Sequence, residues 1–231
     1  MGGATAGGRK GMGAGAQAIA AVVLVGGVGG GLWGLGEVMG NTGGTGRGPA
    51  ECTAERSTAS APQLSGGELC TALNRPDLPV LLGTPGEQAL TASGGDGVFT
   101  PAGGGAKVVT PSATVQLATY QVKLSAAYNR LRAGQMATLL GGTAEKRTVL
   151  GRPATLYSDR AMAISLGASE GGQMAGPGPV TRSLVIAKNA KDTGGYFELV
   201  VWREDGRIPD DAALLRVAEQ VLPTVPGWNR G

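Results

Sequence analysis

The stretch from residue 11 to residue 36 most constrains this chain, because it holds 26 consecutive uncharged residues. The basic pair Arg9 and Lys10 precedes it, and Glu37 follows it. About 20 apolar residues span the hydrocarbon core of a bilayer. Eight Leu, Ile or Val residues fall between positions 18 and 36, which favours insertion by roughly 2.5 to 5 kcal/mol before the glycines subtract from it. We therefore predict a transmembrane signal anchor over residues 17–36.

The charges that flank this segment predict its orientation. Basic residues next to a span favour the cytoplasmic side, so the amino terminus is expected in the cytoplasm and the rest of the chain outside. The predicted order is a disordered cytoplasmic tail over 1–16, the anchor, a glycine-rich linker over 37–50 and an extracytoplasmic domain over 51–231. A cleaved signal peptide stays open as an alternative, because the densest apolar block, 18–25, is only as long as a signal-peptide core.

The glycines within the apolar stretch allow two further interpretations. Gly29, Gly31 and Gly34 have the G-x-G-x-x-G spacing of a dinucleotide-binding loop. Residues 38–50 contain neither a crossover helix nor a β-branched strand, so this motif lacks its required context and no cofactor is expected. Glycine pairs spaced four residues apart would let two membrane helices approach closely and form a homodimer. Such pairs also arise by chance in a chain with 43 glycines. The residues concerned are Gly26, Gly27, Gly30, Gly31 and Gly34.

Composition excludes several classes of function. The chain contains no histidine, which rules out Ser-His-Asp and Cys-His catalysis and removes the commonest metal ligand. Without Arg9 and Lys10, the 20 basic and 17 acidic residues become 18 against 17, so no basic surface for nucleic acid is expected. We predict no catalytic, metal or cofactor-binding residues.

The two cysteines, Cys52 and Cys70, follow the predicted anchor. A single disulfide is the expected state of two cysteines in an oxidising compartment. Closing this loop would stabilise the fold by roughly 3 kcal/mol. Two unpaired thiols are the alternative, although the neighbouring Glu51, Glu55 and Glu68 do not favour reactive thiolates.

Residue patterns beyond the cysteines predict an α+β domain, an antiparallel sheet with packed helices. A capping box from Ser65 to Glu68 begins a helix that stops before Arg75-Pro76. A strand over 113–126, bulged near 118–119, and a helix over 130–140 follow. Further strands are expected at 108–109, 147–150, 152–158 and 161–166, then a flexible connection over 168–179. A hairpin from Ser183 and Tyr196, and a helix opening at Pro209 and ending before Pro223, complete the prediction.

Four phrases in the carboxyl-terminal half carry a resemblance: VLGRPATLYSD, SLVIAK, ELVVWREDG and PDDAALLRVAEQVLPTVPGW. They resemble an uncharacterised family of actinobacterial single-pass membrane proteins, domain of unknown function 6215, over residues 65–228. The resemblance implies a membrane-anchored domain and brings no catalytic residues. At the level of fold alone, the predicted elements are also similar to secreted lipoproteins with a PsbP-like α/β sandwich.

These observations favour a binding or interaction module of the cell envelope, displayed outside the membrane and acting on an envelope protein or ligand. An envelope scaffold acting through transmembrane self-association is the alternative. A carboxylate-dependent enzyme is less favoured, because Asp210-Asp211 and Glu204-Asp205 suit a helix start and a turn. Ser125 and Lys123 share a strand face without a visible oxyanion hole. The remaining candidates are the lone carboxylate Asp159 and three aromatic residues, Tyr157, Trp202 and Trp228. Core packing is expected for Tyr157 and Trp202.

Overall fold

The structure, a computed structural model, describes residues 48–54, 64–99, 108–142, 144–166 and 173–230. The predicted tail over 1–16, the anchor over 17–36 and most of the linker lie outside the described residues. No helix in the described ranges is long and apolar enough to cross a membrane. The strands are β1 (Thr53–Ala54), β2 (Thr91–Phe99), β3 (Val108–Gln116), β4 (Tyr120–Ala127), β5 (Glu145–Val149), β6 (Arg152–Leu166), β7 (Gln173–Ala187) and β8 (Tyr196–Arg203). The helices are α1 (Gly66–Leu73), α2 (Leu78–Leu82), α3 (Ala133–Leu140) and α4 (Asp211–Val221).

The eight strands form one sheet in the order β1-β2-β3-β4-β8-β7-β6-β5. This arrangement confirms the predicted α+β class. The predicted antiparallel sheet is mixed at one edge, where β1 runs parallel to β2. Cys52 immediately precedes β1 and is bonded to Cys70 on α1. The disulfide therefore links the edge strand β1 to the helix that packs on β2 and β3.

One face of the sheet carries the main hydrophobic core. Helix α1 packs on β2, β3 and β4, and α4 packs on β7 and β8. The predicted capping box is present, because the Ser65 hydroxyl accepts from the Glu68 amide while the Glu68 carboxylate accepts from the Ser65 amide. The largest fully buried side chains of this core include Leu69, Leu73, Leu117, Leu124, Leu156, Leu184, Ile186, Phe197 and Leu199.

The opposite face is covered by α3 over β6 and β7. A second, smaller hydrophobic cluster forms there, and the Thr155 hydroxyl fixes α3 by donating to the Ala133 carbonyl at 2.7 Å. The two carboxylate oxygens of Asp192 cap the start of α3 by accepting from the amides of Ala133 and Gly134, both at 2.9 Å. The cluster consists of Ala133, Met136, Tyr157, Val185, Ala187 and Tyr196.

Several strand predictions differ from the structure. The strand predicted at 108–109 is the start of β3, and β2 was not predicted. The predicted bulged strand over 113–126 is a hairpin, in which β3 and β4 are joined by a tight turn at residues 117–119. The reversal explains the change of phase, because it leaves both sets of apolar residues on the core face. The predicted strands 152–158 and 161–166 are one strand, β6, with a register shift between Arg160 and Met162. The predicted flexible connection over 168–179 is wrong from Gln173 onward, where β7 begins.

Candidate functional site

A polar surface lies on the sheet beside α3, on the side opposite the main core. It is formed by alternate residues of β2, β3, β4 and β8, whose intervening residues point into the core. Thr91 and Gln116 illustrate this shared side, because the Thr91 hydroxyl donates to the Gln116 side-chain carbonyl at 3.4 Å. We call the following eleven residues the polar face: Thr91, Ser93, Ser112, Thr114, Gln116, Gln121, Lys123, Ser125, Glu198, Val200 and Trp202.

Glu198 is the electrostatic centre of this surface. The Tyr157 hydroxyl donates to its carboxylate at 2.5 Å. Burial raises the pKa of the Tyr157 phenol well above its ordinary value, and the Glu198 charge raises it further, while a hydrogen bond from Ser183 acts in the opposite direction. Burial, followed by the same carboxylate, raises the pKa of Tyr196 to about 12. Both phenols therefore stay protonated beside an acidic group.

Lys123 is the basic residue of the polar face. Burial lowers the pKa of its ammonium group, and the charge of Glu198 opposes that shift. The register pairs Lys123 with Val200 and Ser125 with Glu198 across β4 and β8. Directly paired side chains in neighbouring strands have Cβ atoms about 5 Å apart. Lys123, Ser125 and Glu198 therefore lie together, which adds a carboxylate to the Ser125 and Lys123 pair named from the sequence.

The aromatic candidates separate between the two faces. Tyr157 is buried against α3, which confirms its predicted core packing. Trp202 is half-buried on the polar face, opposite Gln121, so its predicted core packing is wrong. Trp228 is 4% exposed and lies in the main core, with its ring 3.5 Å from the Arg152 guanidinium. Of the three, Trp202 is thus the one that lies on the polar face.

The predicted cysteine pair comes together at the other side of the fold. Cys52 and Cys70 form a disulfide with a sulfur separation of 2.03 Å. The Asn74 side-chain amide donates to the Ala50 carbonyl beside it at 2.7 Å. The bond thus ties the start of the domain to α1, as the sequence predicted. The transmembrane packing candidates Gly26, Gly27, Gly30, Gly31 and Gly34 lie outside the described residues.

Three carboxylates of the acidic pairs named from the sequence, Asp205, Asp210 and Asp211, make structural contacts within the fold. Asp211 receives a forked contact from Arg182, with distances of 2.5 and 2.7 Å. Asp210 accepts from the Ala212 amide at 3.1 Å and caps α4. The guanidinium of Arg203, as hydrogen-bond donor, holds the pKa of Asp205 well below its usual range. In the described part of the chain, no three His, Cys, Asp or Glu residues are grouped to hold a metal.

An open cavity of about 410 Å³ lies on the helical side, between α1 and the carboxyl-terminal segment. Its ionised groups are satisfied within the fold. Arg75 pairs with Asp77 and donates to the Gln220 carbonyl at 2.6 Å. The side-chain hydrogen bond from Arg75 lowers the pKa of Asp77. These contacts give the charged groups of the cavity structural roles within the fold.

Fold and site together define a disulfide-linked α+β domain with one helix-covered face and one partly open polar face. The family model described as "Family of unknown function (DUF6215)" matches residues 9–143, more than half of the chain, and the chain belongs to this family. The match includes the predicted anchor and α1, whereas the four phrases that carried the resemblance follow it. No curated protein and no solved structure matches the chain.

The sequence pattern pairs Lys123 with Ser125 on one strand face, but it does not connect this pair with Tyr157 or Trp202. Glu198, which contacts Tyr157 and lies beside Lys123 and Ser125, is not among the residues that the sequence singles out. The sequence indicates Glu198 only through its position, because this acidic residue interrupts the apolar run YFELVVW of a central strand. A charged residue in such a run indicates either a polar sheet face or a partner on a neighbouring strand.

Proposed function

We propose that this chain is a single-pass membrane protein of an actinobacterial cell envelope, whose folded domain is displayed outside the cytoplasm as a binding module. The actinobacterial and single-pass parts of this proposal rest on the family resemblance and on the uncharged stretch over 11–36. The polar face is the surface through which the module would act.

The disulfide is the observation that carries the proposal. Cys70 is fully buried in the main core, and its bond with Cys52 closes the chain around α1. Such bonds persist in oxidising compartments and are rare in reducing ones. The basic pair ahead of the uncharged stretch independently favours an external domain. The disulfide and the flanking charges depend on different physical effects, and both favour a domain outside the cytoplasm.

Binding is favoured over catalysis by the chemistry of the polar face. Lys123, Ser125 and Glu198 offer a base, a hydroxyl and an acid, but they lie on paired strands of a regular sheet. Backbone N–H groups in such strands are taken up by the ladder and do not converge on a developing negative charge. A surface of this kind can hold a ligand through many hydrogen bonds.

Thiol trapping in producing cells tests the proposal. Cells are quenched with acid, and the full-length chain is treated with a large maleimide before and after reduction. We expect no added mass before reduction and two additions after it. The Cys52→Ser/Cys70→Ser variant, which should gain no mass in either case, is the control. Two additions before reduction would contradict an oxidising location for the domain.

A further inference from the structure

We propose that the polar face binds an extended, neutral glycan, with Trp202 packing against a sugar ring and the surrounding hydroxyl and amide groups hydrogen-bonding to it. This inference deepens the proposed function, on which it rests for the biological setting, by naming the class of ligand. Three features of the surface lead to it: its charge, its composition and its shape.

The polar face carries no net formal charge. Lys123 is its cation and Glu198 its anion, and the Glu198 charge acts on the Lys123 ammonium. Nucleic acids and anionic lipid surfaces are bound through several uncompensated basic groups. A neutral ligand therefore matches this surface better than a polyanion does.

The composition of the face favours a hydroxyl-rich ligand over a protein. Seven of the eleven residues are Ser, Thr or Gln, and two are apolar. The buried cores of protein interfaces are enriched in aromatic residues, Met and Arg, and Trp202 is the one such residue among the eleven. Hydroxyl and primary amide groups both donate and accept hydrogen bonds. Sugar hydroxyls do the same, so each partner can satisfy the other without a fixed direction of donation.

Trp202 supplies the apolar part of such a site. It lies on β8 opposite Gln121, which in turn lies opposite Gln116 on β3. Trp202 is half-buried, so part of the residue is accessible to solvent. Aromatic side chains add large contact areas at low conformational cost. The C–H face of a sugar ring is flat and apolar and fits such a surface.

The polar face is broad and follows the sheet. Four neighbouring strands contribute to it, and at about 4.8 Å per strand they extend it over roughly 14 Å. Helix α3 packs mainly on the adjacent β6 and β7. The ordered rows of this surface, such as Ser93, Thr114, Lys123 and Val200, suit a short stretch of an extended chain.

Titration of the purified full-length chain in detergent micelles tests this inference. Chitotetraose and cellotetraose are the probes, as extended neutral glycans with and without acetamido groups. Binding is followed by calorimetry and by tryptophan fluorescence. We expect saturable binding of at least one probe. Trp202→Ala should weaken it at least about tenfold, and Gln121→Ala by several-fold.

Gln220→Ala is the matched control for Gln121→Ala, because Gln220 is exposed on α4, on the other side of the molecule. It should leave the affinity unchanged. If Trp202→Ala does not fold, as judged by circular dichroism, the Gln121 and Gln220 pair decides the question. Failure of the folded chain to bind either probe would overturn the inference, as would binding that Gln121→Ala and Trp202→Ala leave intact. Because the titration uses purified protein, its outcome is independent of the thiol-trapping result.

Discussion

The hydroxyl of Tyr157 on β6 donates a 2.5 Å hydrogen bond to the carboxylate of Glu198 on β8, across the strand β7 that lies between them. Tyr157 is 3% exposed, so this contact is made in a poorly solvated environment where hydrogen bonds to charged groups are strong. The bond joins the part of the sheet beneath α3 to the polar face. It also places a negative charge near two protonated phenols.

Alkaline pH should destabilise the domain through these phenols. The pKa of Tyr196 rises from 10.0 to about 12 on folding, so above pH 10 the unfolded chain releases protons that the folded chain keeps. The stabilising contribution is fully present below pH 10 and is lost as the pH rises through about 12. For Tyr196 the loss is roughly 2 to 3 kcal/mol.

Urea denaturation at a series of pH values measures this effect. Tyr196→Phe should reduce the fall in the free energy of unfolding between pH 10 and pH 12. Tyr157→Phe should reduce it as well, because the pKa of Tyr157 is also raised on folding. An alkaline fall of the same size in both variants and in the unaltered chain would exclude these phenols as its source.

Removing the disulfide should weaken the fold without rearranging it. The bond closes a sequence separation of 18 residues, and a loop of this size contributes about 3 kcal/mol. Cys52→Ser/Cys70→Ser should lower the free energy of unfolding by that amount in urea denaturation. Reduction of the unaltered chain should have an equal effect, and the reductant should not affect the double variant. If the reductant also destabilised the double variant, the loss of stability on reduction could not be assigned to the disulfide.

The contact between α1 and β2 depends on glycine at one position of the strand. A Cβ atom on Gly94 would lie 2.2 Å from the Gly66 carbonyl oxygen, whereas one on Gly95 would meet nothing within 4 Å. Gly94→Ala should therefore destabilise the domain by about 1 to 3 kcal/mol or more, because backbone atoms have to move apart. Gly95→Ala should change stability by less than about 0.5 kcal/mol. Thermal denaturation of the two neighbouring variants compares them directly.

Arg152 should stabilise the carboxyl-terminal segment through its guanidinium geometry. It donates to the Trp228 carbonyl at 2.6 Å and stacks on the Trp228 ring, and it also donates to the Lys188 carbonyl. An ammonium group cannot reproduce this planar arrangement. Arg152→Lys should cost about 1 to 3 kcal/mol in urea denaturation. Arg147→Lys on the exposed strand β5 is the matched control and should be close to neutral.

Sequence patterns predicted the elements whose signals are local. The capping box at Ser65 marks the start of α1, and the apolar stripe of α4 follows the acidic Asp210. The β3 and β4 hairpin was missed because Leu117, Ala118 and Thr119 contain no Gly, Pro, Asn or Asp to signal a turn. The extension of β7 back to Gln173 was missed because glycine and proline normally interrupt strands.

The candidate site could be predicted only in part, because it depends on the order of strands. Lys123 and Ser125 are two positions apart in one strand, so their shared face is visible in the sequence. Tyr157 and Glu198 are separated by 41 positions, and their contact requires that β6, β7 and β8 be neighbours in a particular register. No local pattern sets that register, which results from the packing of the whole sheet.

Protease protection measures directly on which side of the membrane the folded domain lies in intact cells. The full-length chain carries an epitope at its carboxyl terminus, and cells from which the outer wall has been removed are treated with a protease. We predict that the epitope is digested while a cytoplasmic marker survives, and that both are digested after lysis. An epitope that survives in intact cells and is lost only on lysis would contradict an external binding module.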